Sequence, residues 1–301
     1  MTGISRHIAK MGLGAFGVLA GVAHANSSNG YNLPVGVSDL SVEIHGIHMI
    51  AFWVCVGIAV VVFGAMIYSL VNFRKSTGAV PDTNMVHSTK AEIVWTIIPV
   101  FILVFMAIPA AETLIKIEDT RNSELTIRVT GYQWKWQYQY MDAAEGIDFF
   151  STLSQDSNEA RQLGSGIDPK TVPNYLLSVD HPMVIPSGTK VRLLLTSQDV
   201  IHAWWVPDFG MKRDALPGFV NEMWIRVAAG KEGTYRGQCA ELCGQDHGFM
   251  PIVVEVKTRD EFKQWVEAQK ADAKQAGVAP GIATPAAAPI APPQTAQILA
   301  R

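Results

Sequence analysis

The chain has 301 residues, of which 49% are hydrophobic and 17% charged, and its formal net charge is -3. This composition excludes an intrinsically disordered chain, which combines few apolar residues with a large net charge. The charges are unevenly placed, since residues 44–73 and 93–111 contain no Asp, Glu, Lys or Arg. Two stretches of that length and composition predict a membrane protein with a soluble part.

The first 25 residues have the pattern of a secretory signal peptide. Arg6 and Lys10 precede an apolar stretch over 11–23, and the small-x-small sequence Ala23-His24-Ala25 follows. That stretch is shorter than a membrane span. We therefore expect residues 1–25 to be removed and the mature chain to begin near Asn26.

The charge-free stretches predict a transmembrane hairpin over residues 26–112, with spans at about 48–73 and 93–111. A bilayer core of about 30 Å needs ~20 apolar helical residues, because the backbone finds no water there. Arg74, Lys75 and Lys90 lie between the spans, so the positive-inside tendency places this loop in the cytoplasm. We expect a bacterial inner-membrane protein whose N-terminus and C-terminal domain are periplasmic.

Glu92 begins the second predicted span on its cytoplasmic side. A carboxylate at a helix N-terminus is favoured by the helix dipole, so a structural cap explains it without any function. A functional role for the carboxylate is the alternative.

Residues 113–269 consist of short β-rich segments separated by Pro, Gly and Asp, which predicts an all-β sandwich or barrel. Within this domain, residues 151–173 are polar and predict a surface insertion. Residues 260–271 carry apolar side chains at helical spacing and predict a short helix. Residues 270–301 are rich in Ala and Pro, which predicts a disordered tail.

The most informative segment spans residues 237–251, where Cys239, Cys243, His247 and Met250 lie within twelve residues. Sulfur and imidazole ligands favour copper. A Cys239–Cys243 disulfide would leave His247 and Met250 unexplained, and zinc rarely recruits Met. A mononuclear blue-copper site uses one Cys. Two thiolates can instead bridge two copper ions, provided that a second His comes from elsewhere.

The best candidate for the second imidazole is His202, which follows an apolar β-rich segment and precedes Trp204 and Trp205. A lone His at such a position can also be structural. His181 competes for the role, but the sequence Asp180-His181-Pro182 is typical of an exposed turn.

Residues 131–140 contain five aromatic side chains at alternate positions. On one strand they share a face: Tyr132, Trp134, Trp136, Tyr138 and Tyr140. Burial explains most of them, and we expect at least one to contact a partner at the surface.

Over residues 42–265 these features resemble subunit II of the haem-copper cytochrome c oxidases. The resemblance rests on the hairpin, Glu-x-x-Trp-Thr-x-x-Pro from Glu92, Gln-Trp-x-Trp from Gln133, His-x-Trp-x-Val-Pro from His202, and Cys-x3-Cys-x3-His-x2-Met from Cys239. It implies a two-helix transmembrane hairpin followed by an all-β, cupredoxin-like Greek-key barrel that carries the dinuclear copper centre CuA.

The resemblance also implies which atoms bind copper. The side-chain ligands are His202, Cys239, Cys243, His247 and Met250, and Glu241 contributes its backbone carbonyl. Both thiolates bridge the coppers, of which one is completed by His202 and Met250 and the other by His247 and Glu241. The Glu241 carboxylate is directed at a magnesium or manganese ion at the boundary with the catalytic subunit.

Other roles follow from the same resemblance. Trp134 is the electron entry point, Asp199 and Asp142 dock cytochrome c, and Glu92 is the entrance of a proton channel. Residues 112–270 hold 17 Lys and Arg against 22 Asp and Glu, which suits a positively charged donor. Lys135 and Gln139 depart from the common family pattern and leave the identity of that donor open.

The implied function is transfer of electrons from cytochrome c to haem in a partner chain, where oxygen is reduced to water and protons are translocated. The implied partners are subunits I and III, a c-type cytochrome and the membrane, with no nucleic acid. One alternative is the CuA subunit of a nitric oxide reductase. A quinol oxidase subunit II lacks the two cysteines, and a copper-delivery protein would not require Trp134 beside acidic residues.

Overall fold

The computed structural model describes residues 32–83 and 86–275, which form two compact units. Of these described residues, the first unit comprises those up to Arg121 with the segments Pro207–Met211 and Trp224–Ala228, and the second comprises the others. The predicted signal peptide, residues 1–25, lies outside the described residues, as does most of the predicted tail.

Two long helices form most of the first unit: α1 (Asp39–Asn72) and α2 (Thr89–Glu118). Both are long and apolar enough to cross a membrane. They extend beyond the predicted spans because polar residues at their ends continue the helical backbone. At the start of α1, Ser38 and Ser41 form a reciprocal capping box that satisfies the first free N–H groups.

Polar contacts tie the N-terminal part of α1 to the C-terminal part of α2. Glu43 Oε1 accepts hydrogen bonds from Thr113 Oγ1 and Lys116 Nζ, each at 2.7 Å. Two further hydrogen bonds join the hairpin to the other segments of the first unit. The Trp224 indole N–H donates to the Lys116 carbonyl at 3.0 Å, and the Ser38 hydroxyl donates to the Phe209 carbonyl at 2.7 Å. The charged ends of the hairpin are therefore held in a defined geometry.

Ten strands of the described chain form two five-stranded sheets, with the orders β3-β2-β1-β5-β8 and β4-β10-β9-β6-β7. Antiparallel pairs predominate, but β1 pairs with β5 and β4 with β10 in parallel. The strands are β1 (Leu125–Tyr132), β2 (Lys135–Tyr140), β3 (Asp148–Ser151), β4 (Met183–Pro186), β5 (Val191–Ser197), β6 (His202–Val206), β7 (Met211–Ala215), β8 (Asn221–Ile225), β9 (Gly233–Cys239) and β10 (Pro251–Lys257).

Buried aromatic side chains join the two sheets. The Trp204 indole donates to the Tyr138 hydroxyl at 3.3 Å. The Tyr140 hydroxyl donates to the Val184 carbonyl at 2.7 Å and accepts from the Val184 N–H at 2.8 Å. These polar groups are satisfied inside the core, as the cost of burying them requires.

The prediction of one aromatic strand over residues 131–140 was wrong. The segment is a hairpin: β1 ends at Tyr132, Gln133 and Trp134 form the turn, and β2 begins at Lys135. Aromatic alternation continues through the turn and therefore conceals it. Within β2 the alternation holds, since Trp136, Tyr138 and Tyr140 are all buried.

Two further helices lie in the second unit. Within the predicted insertion, α3 spans Gln155–Ala160. The helix predicted over residues 260–271 is α4, which spans Arg259–Gln275 and is longer than expected. The predicted start of the tail at residue 270 was therefore wrong. Residues 270–275 contain good helix formers and continue the helix. Trp265 packs against Tyr140 with ring centroids 5.2 Å apart.

Candidate metal centre

The loop that follows β9 carries most of the predicted ligands. Cys239 is the last residue of β9, and Met250 immediately precedes β10. The Cys239 N–H donates to the Met250 carbonyl at 3.3 Å, and the Ala240 N–H donates to the Ala203 carbonyl at 3.0 Å. Because β9 and β10 are paired, both ends of the loop are fixed by the sheet.

The two thiols and the two predicted imidazoles converge. The sulfur atoms of Cys239 and Cys243 are 3.8 Å apart. Nδ1 of His202 lies 3.9 Å from the Cys239 sulfur, and Nδ1 of His247 lies 3.4 Å from the Cys243 sulfur. A disulfide has an S–S distance of about 2.05 Å, so both cysteines are free thiols here.

Two further groups complete the cluster. The Met250 sulfur lies 3.5 Å from the Cys243 sulfur, and the Glu241 carbonyl oxygen lies 3.3 Å from the Cys239 sulfur. All six residues predicted as ligands therefore lie in one chain of contacts. The ligand atoms of His202, Cys239 and Cys243 are all within 4.8 Å of one another, close enough to hold a metal ion.

The chemistry of the donors fits copper. Thiolates, a thioether and imidazoles are the ligands that copper prefers, whereas calcium and magnesium select oxygen. The side chains of Cys239, Cys243, Met250 and His202 are buried. A copper-binding role accounts for so much sulfur and imidazole in one buried cluster better than packing alone.

The two thiols differ in acidity. Burial opposes ionisation of Cys239, but hydrogen bonds with His202 and with backbone groups outweigh it and lower the pKa of this thiol. Burial and the neighbouring Cys239 raise the pKa of the Cys243 thiol to about 12. A metal ion that binds both thiolates must therefore displace the Cys243 proton.

His202 is held from two sides. Its Nε2 donates to Asp199 Oδ1 at 2.9 Å, while its Nδ1 faces Cys239. Burial disfavours the charged imidazole, but the contacts with Cys239 and Asp199 raise the pKa of His202 above its ordinary value. Burial likewise disfavours the Asp199 carboxylate, and hydrogen bonds from His202, Gln133 and Val200 lower its pKa.

Gly131, in β1, allows His202 to occupy its place. A Cβ atom at Gly131 would lie 2.7 Å from His202 Cδ2 and 3.0 Å from Cγ. Side chains do not approach that closely, so only glycine fits beside the imidazole. Gly131 was not among the predicted site residues, although a glycine inside a strand can signal a close approach of other atoms.

The turn between β1 and β2 directly contacts the loop between β9 and β10, residues 240–249, which is named the metal loop after its proposed ligands. The Trp134 indole N–H and the Gln133 side-chain amide both donate to the Cys243 carbonyl, at 3.1 and 2.9 Å. Glycine suits position 244 because its φ of 113° is one that other residues rarely adopt, and because a Cβ there would lie only 3.0 Å from the Gln133 amide and 3.2 Å from the Trp134 ring. Trp134 is half-buried and thus touches both the loop and solvent.

The other predicted site residues lie outside the thiol cluster. Asp142 is exposed in a short 3₁₀ turn, and Glu92 is half-buried in the first turn of α2. Glu241, whose carboxylate was predicted to bind magnesium or manganese, is exposed. His181, the competing imidazole, is exposed and lies 3.4 Å from the Asp180 carboxylate, in agreement with the predicted surface turn.

Comparison with known proteins agrees with this architecture. Residues 26–112 match the family described as cytochrome c oxidase subunit II, transmembrane domain, and residues 125–257 match its periplasmic domain. The probable cytochrome c oxidase subunit 2 of Rickettsia bellii is 41% identical over 76% of this chain and 80% of its own length. The corresponding protein of Triticum aestivum is 38% identical over 78% and 84%.

A solved structure, the periplasmic domain of subunit II of cytochrome oxidase (CoxB) of Bradyrhizobium japonicum, is 42% identical. It covers 51% of this chain and 98% of its own, with a TM-score of 0.42. The two family matches and the relatives cover both the helical hairpin and the β-domain. The chain therefore belongs to the cytochrome c oxidase subunit II family, with an N-terminal transmembrane domain and a cupredoxin-like periplasmic domain.

Proposed function

We propose that this chain accepts electrons from a c-type cytochrome at a dinuclear CuA centre and passes them to haem in the catalytic subunit of a cytochrome c oxidase. Oxygen is reduced to water in that partner, coupled to proton translocation. The observation that carries the proposal is the pair of free thiols 3.8 Å apart, flanked by two imidazoles, a thioether and a backbone carbonyl. When bound, CuA supplies a copper pair that takes up and releases one electron.

The protein keeps these ligands in place and away from water. Cys239, Cys243 and Met250 are buried, and the loop that carries them is tied to β9 and β10 at both ends. A rigid ligand set moves little when its charge changes by one electron. The fold thus favours electron transfer over chemistry on a bound substrate.

Trp134 is the proposed electron entry point. Its indole N–H donates to the carbonyl of Cys243, a proposed copper ligand, at 3.1 Å. Its ring is half-buried, so one edge remains available to a docked donor. One hydrogen bond therefore connects the surface to a copper ligand.

The acidic surplus of residues 112–270 supports docking of a basic cytochrome. Asp142 is exposed and can act through its charge at the surface. Asp199 is proposed as the second docking carboxylate, although it also has several partners within the protein.

Glu241 is proposed to act at two places. Its backbone carbonyl lies 3.3 Å from the Cys239 sulfur, and the residue as a whole is exposed to solvent. An exposed carboxylate suits magnesium or manganese, which prefer oxygen ligands. We place that ion at the interface with subunit I, which links the copper loop to the partner that receives the electron.

The two helices are proposed to cross the bacterial inner membrane, where they contact the partner subunits I and III. The positively charged loop between them lies in the cytoplasm, and both the N-terminus and the copper domain are periplasmic. Glu92, at the cytoplasmic end of α2, is proposed to admit protons into a channel of the catalytic subunit.

The copper assignment is tested by loading the detergent-solubilised chain with copper. Cys243→Ser is the variant that lacks one proposed ligand, and Cys55→Ser is the matched control. Cys55 lies in α1 as a free, exposed thiol outside the cluster. We expect two bound coppers in the wild type and in Cys55→Ser, with EPR hyperfine structure from one electron shared by two equivalent nuclei. A single-copper pattern in the wild type would contradict the dinuclear assignment.

The role of Glu92 is tested in the assembled oxidase by Glu92→Gln. Glutamine keeps the size and polarity of the side chain but cannot exchange a proton, so we expect oxygen consumption to fall by about 100-fold, the lower end of what a positioned proton donor or acceptor contributes. Glu112→Gln is the matched control, since Glu112 lies in the same helix near its other end. Unchanged turnover of Glu92→Gln across the pH range would remove Glu92 from the proton path.

A further inference from the structure

The Asp199 carboxylate is bound within the protein far more extensively than a docking residue requires. Its Oδ1 accepts from His202 Nε2 at 2.9 Å and from the Val200 N–H at 2.7 Å. Its Oδ2 accepts from the Gln133 N–H at 2.7 Å. Both oxygens therefore have donors from within the chain.

The contact with His202 determines which ring nitrogen is free. When Nε2 carries the hydrogen that it donates to Asp199, the lone pair lies on Nδ1. Nδ1 is the nitrogen that faces the Cys239 sulfur, at 3.9 Å. A carboxylate on the far side of a metal-binding imidazole fixes the tautomer and the ring orientation and makes the ligand nitrogen more basic.

The second oxygen of Asp199 reaches the metal loop by another route. It holds the Gln133 N–H, and the side chains of Gln133 and Trp134 both bond to the Cys243 carbonyl. One carboxylate thus supports His202 directly and the backbone of Cys243 through the turn. The two supported residues are proposed ligands from different parts of the sequence.

We propose that Asp199 is a positioning residue for the copper centre, which orients His202 and anchors the Gln133–Trp134 turn against the metal loop. This role rests on the proposed copper function and deepens it. It differs from docking, which acts on a partner through charge alone. Asp142, which is exposed, provides the comparison for a carboxylate with only the docking role.

The test uses the copper-loaded full-length chain in detergent, without any electron donor. For Asp199→Ala we expect altered copper hyperfine structure, and copper loss to a chelator about 10- to 100-fold faster than in the wild type. Asp148→Ala is the matched control, because Asp148 is also partly buried and accepts from the Gln137 side-chain amide at 2.7 Å. Asp148→Ala and Asp142→Ala should both keep the wild-type spectrum.

A wild-type spectrum and chelation rate in Asp199→Ala would overturn the inference and leave only the docking role. Far-UV circular dichroism establishes that the variant is folded. If Asp199→Ala does not fold, the isosteric Asp199→Asn carries the same test, since it loses one of the two acceptor oxygens. A wild-type chain that lacks the dinuclear signal would instead refute the proposed function, so the two failures are distinguishable.

Discussion

Replacing Gly131 with alanine is expected to remove the copper centre while the β-domain stays folded. The new Cβ would lie 2.7 Å from His202 Cδ2, and the imidazole is fully buried and packed edge-on against Trp136. The ring must therefore move, which carries Nδ1 away from Cys239. Overpacking of this kind costs about 1–3 kcal/mol of stability, less than most domains possess.

Copper stoichiometry and EPR measure the loss, and thermal unfolding shows that the domain persists. The matched control is Gly248→Ala, a glycine-to-alanine change inside the metal loop whose new Cβ would have no atom within 4 Å. We expect this control to bind copper as the wild type does. A Gly131→Ala chain with two coppers and an unchanged spectrum would show that His202 is free to move without consequence.

Replacing Trp134 with alanine is expected to slow electron entry from reduced cytochrome c by on the order of 100-fold, the size of effect produced by misplacing reacting groups by about 1 Å. The change removes both the ring that a donor can contact and the hydrogen bond to the Cys243 carbonyl. Stopped-flow oxidation of the cytochrome measures the rate, and EPR of the resting protein checks that the copper site survives.

Two variants separate the contributions of Trp134. Trp134→Phe keeps an aromatic ring without the N–H donor, and we expect a rate between those of the wild type and Trp134→Ala. Trp205→Ala removes a second tryptophan of the same domain, one that is exposed, and should leave the rate unchanged. Equal rates in Trp134→Ala and the wild type would place the entry point elsewhere.

Local sequence patterns predicted much of the fold and of the site. The charge-free stretches predicted α1 and α2, and the proposed ligands from Cys239 to Met250 could be recognised as a group because they are close in sequence. The hairpin turn at Gln133 and Trp134 was missed, since aromatic alternation continues across it. The length of α4 was underestimated because alanine favours helices as well as low-complexity tails.

Contacts between distant residues could not be predicted in this way. Gly131 and His202 meet because β1 and β6 are brought together by tertiary packing, and nothing near either residue specifies the distance between them. One partner of Asp199 is equally distant, since Gln133 lies 66 residues away in the sequence, whereas Val200 and His202 are one and three residues away. The family resemblance implied a docking role for Asp199, whereas its hydrogen bonds become visible only in the folded chain.

The closure of the metal loop by paired strands has a consequence for how such a site can change over time. Residues 240–249 lie between β9 and β10, which pair in antiparallel register from Gly233 to Gln238 and from Pro251 to Val256. Loop closure costs little more free energy as length increases, so insertions and deletions here are tolerated. Length can therefore vary within the loop, whereas His202 and Cys239, which lie in β6 and β9, keep the centre attached to the sheets.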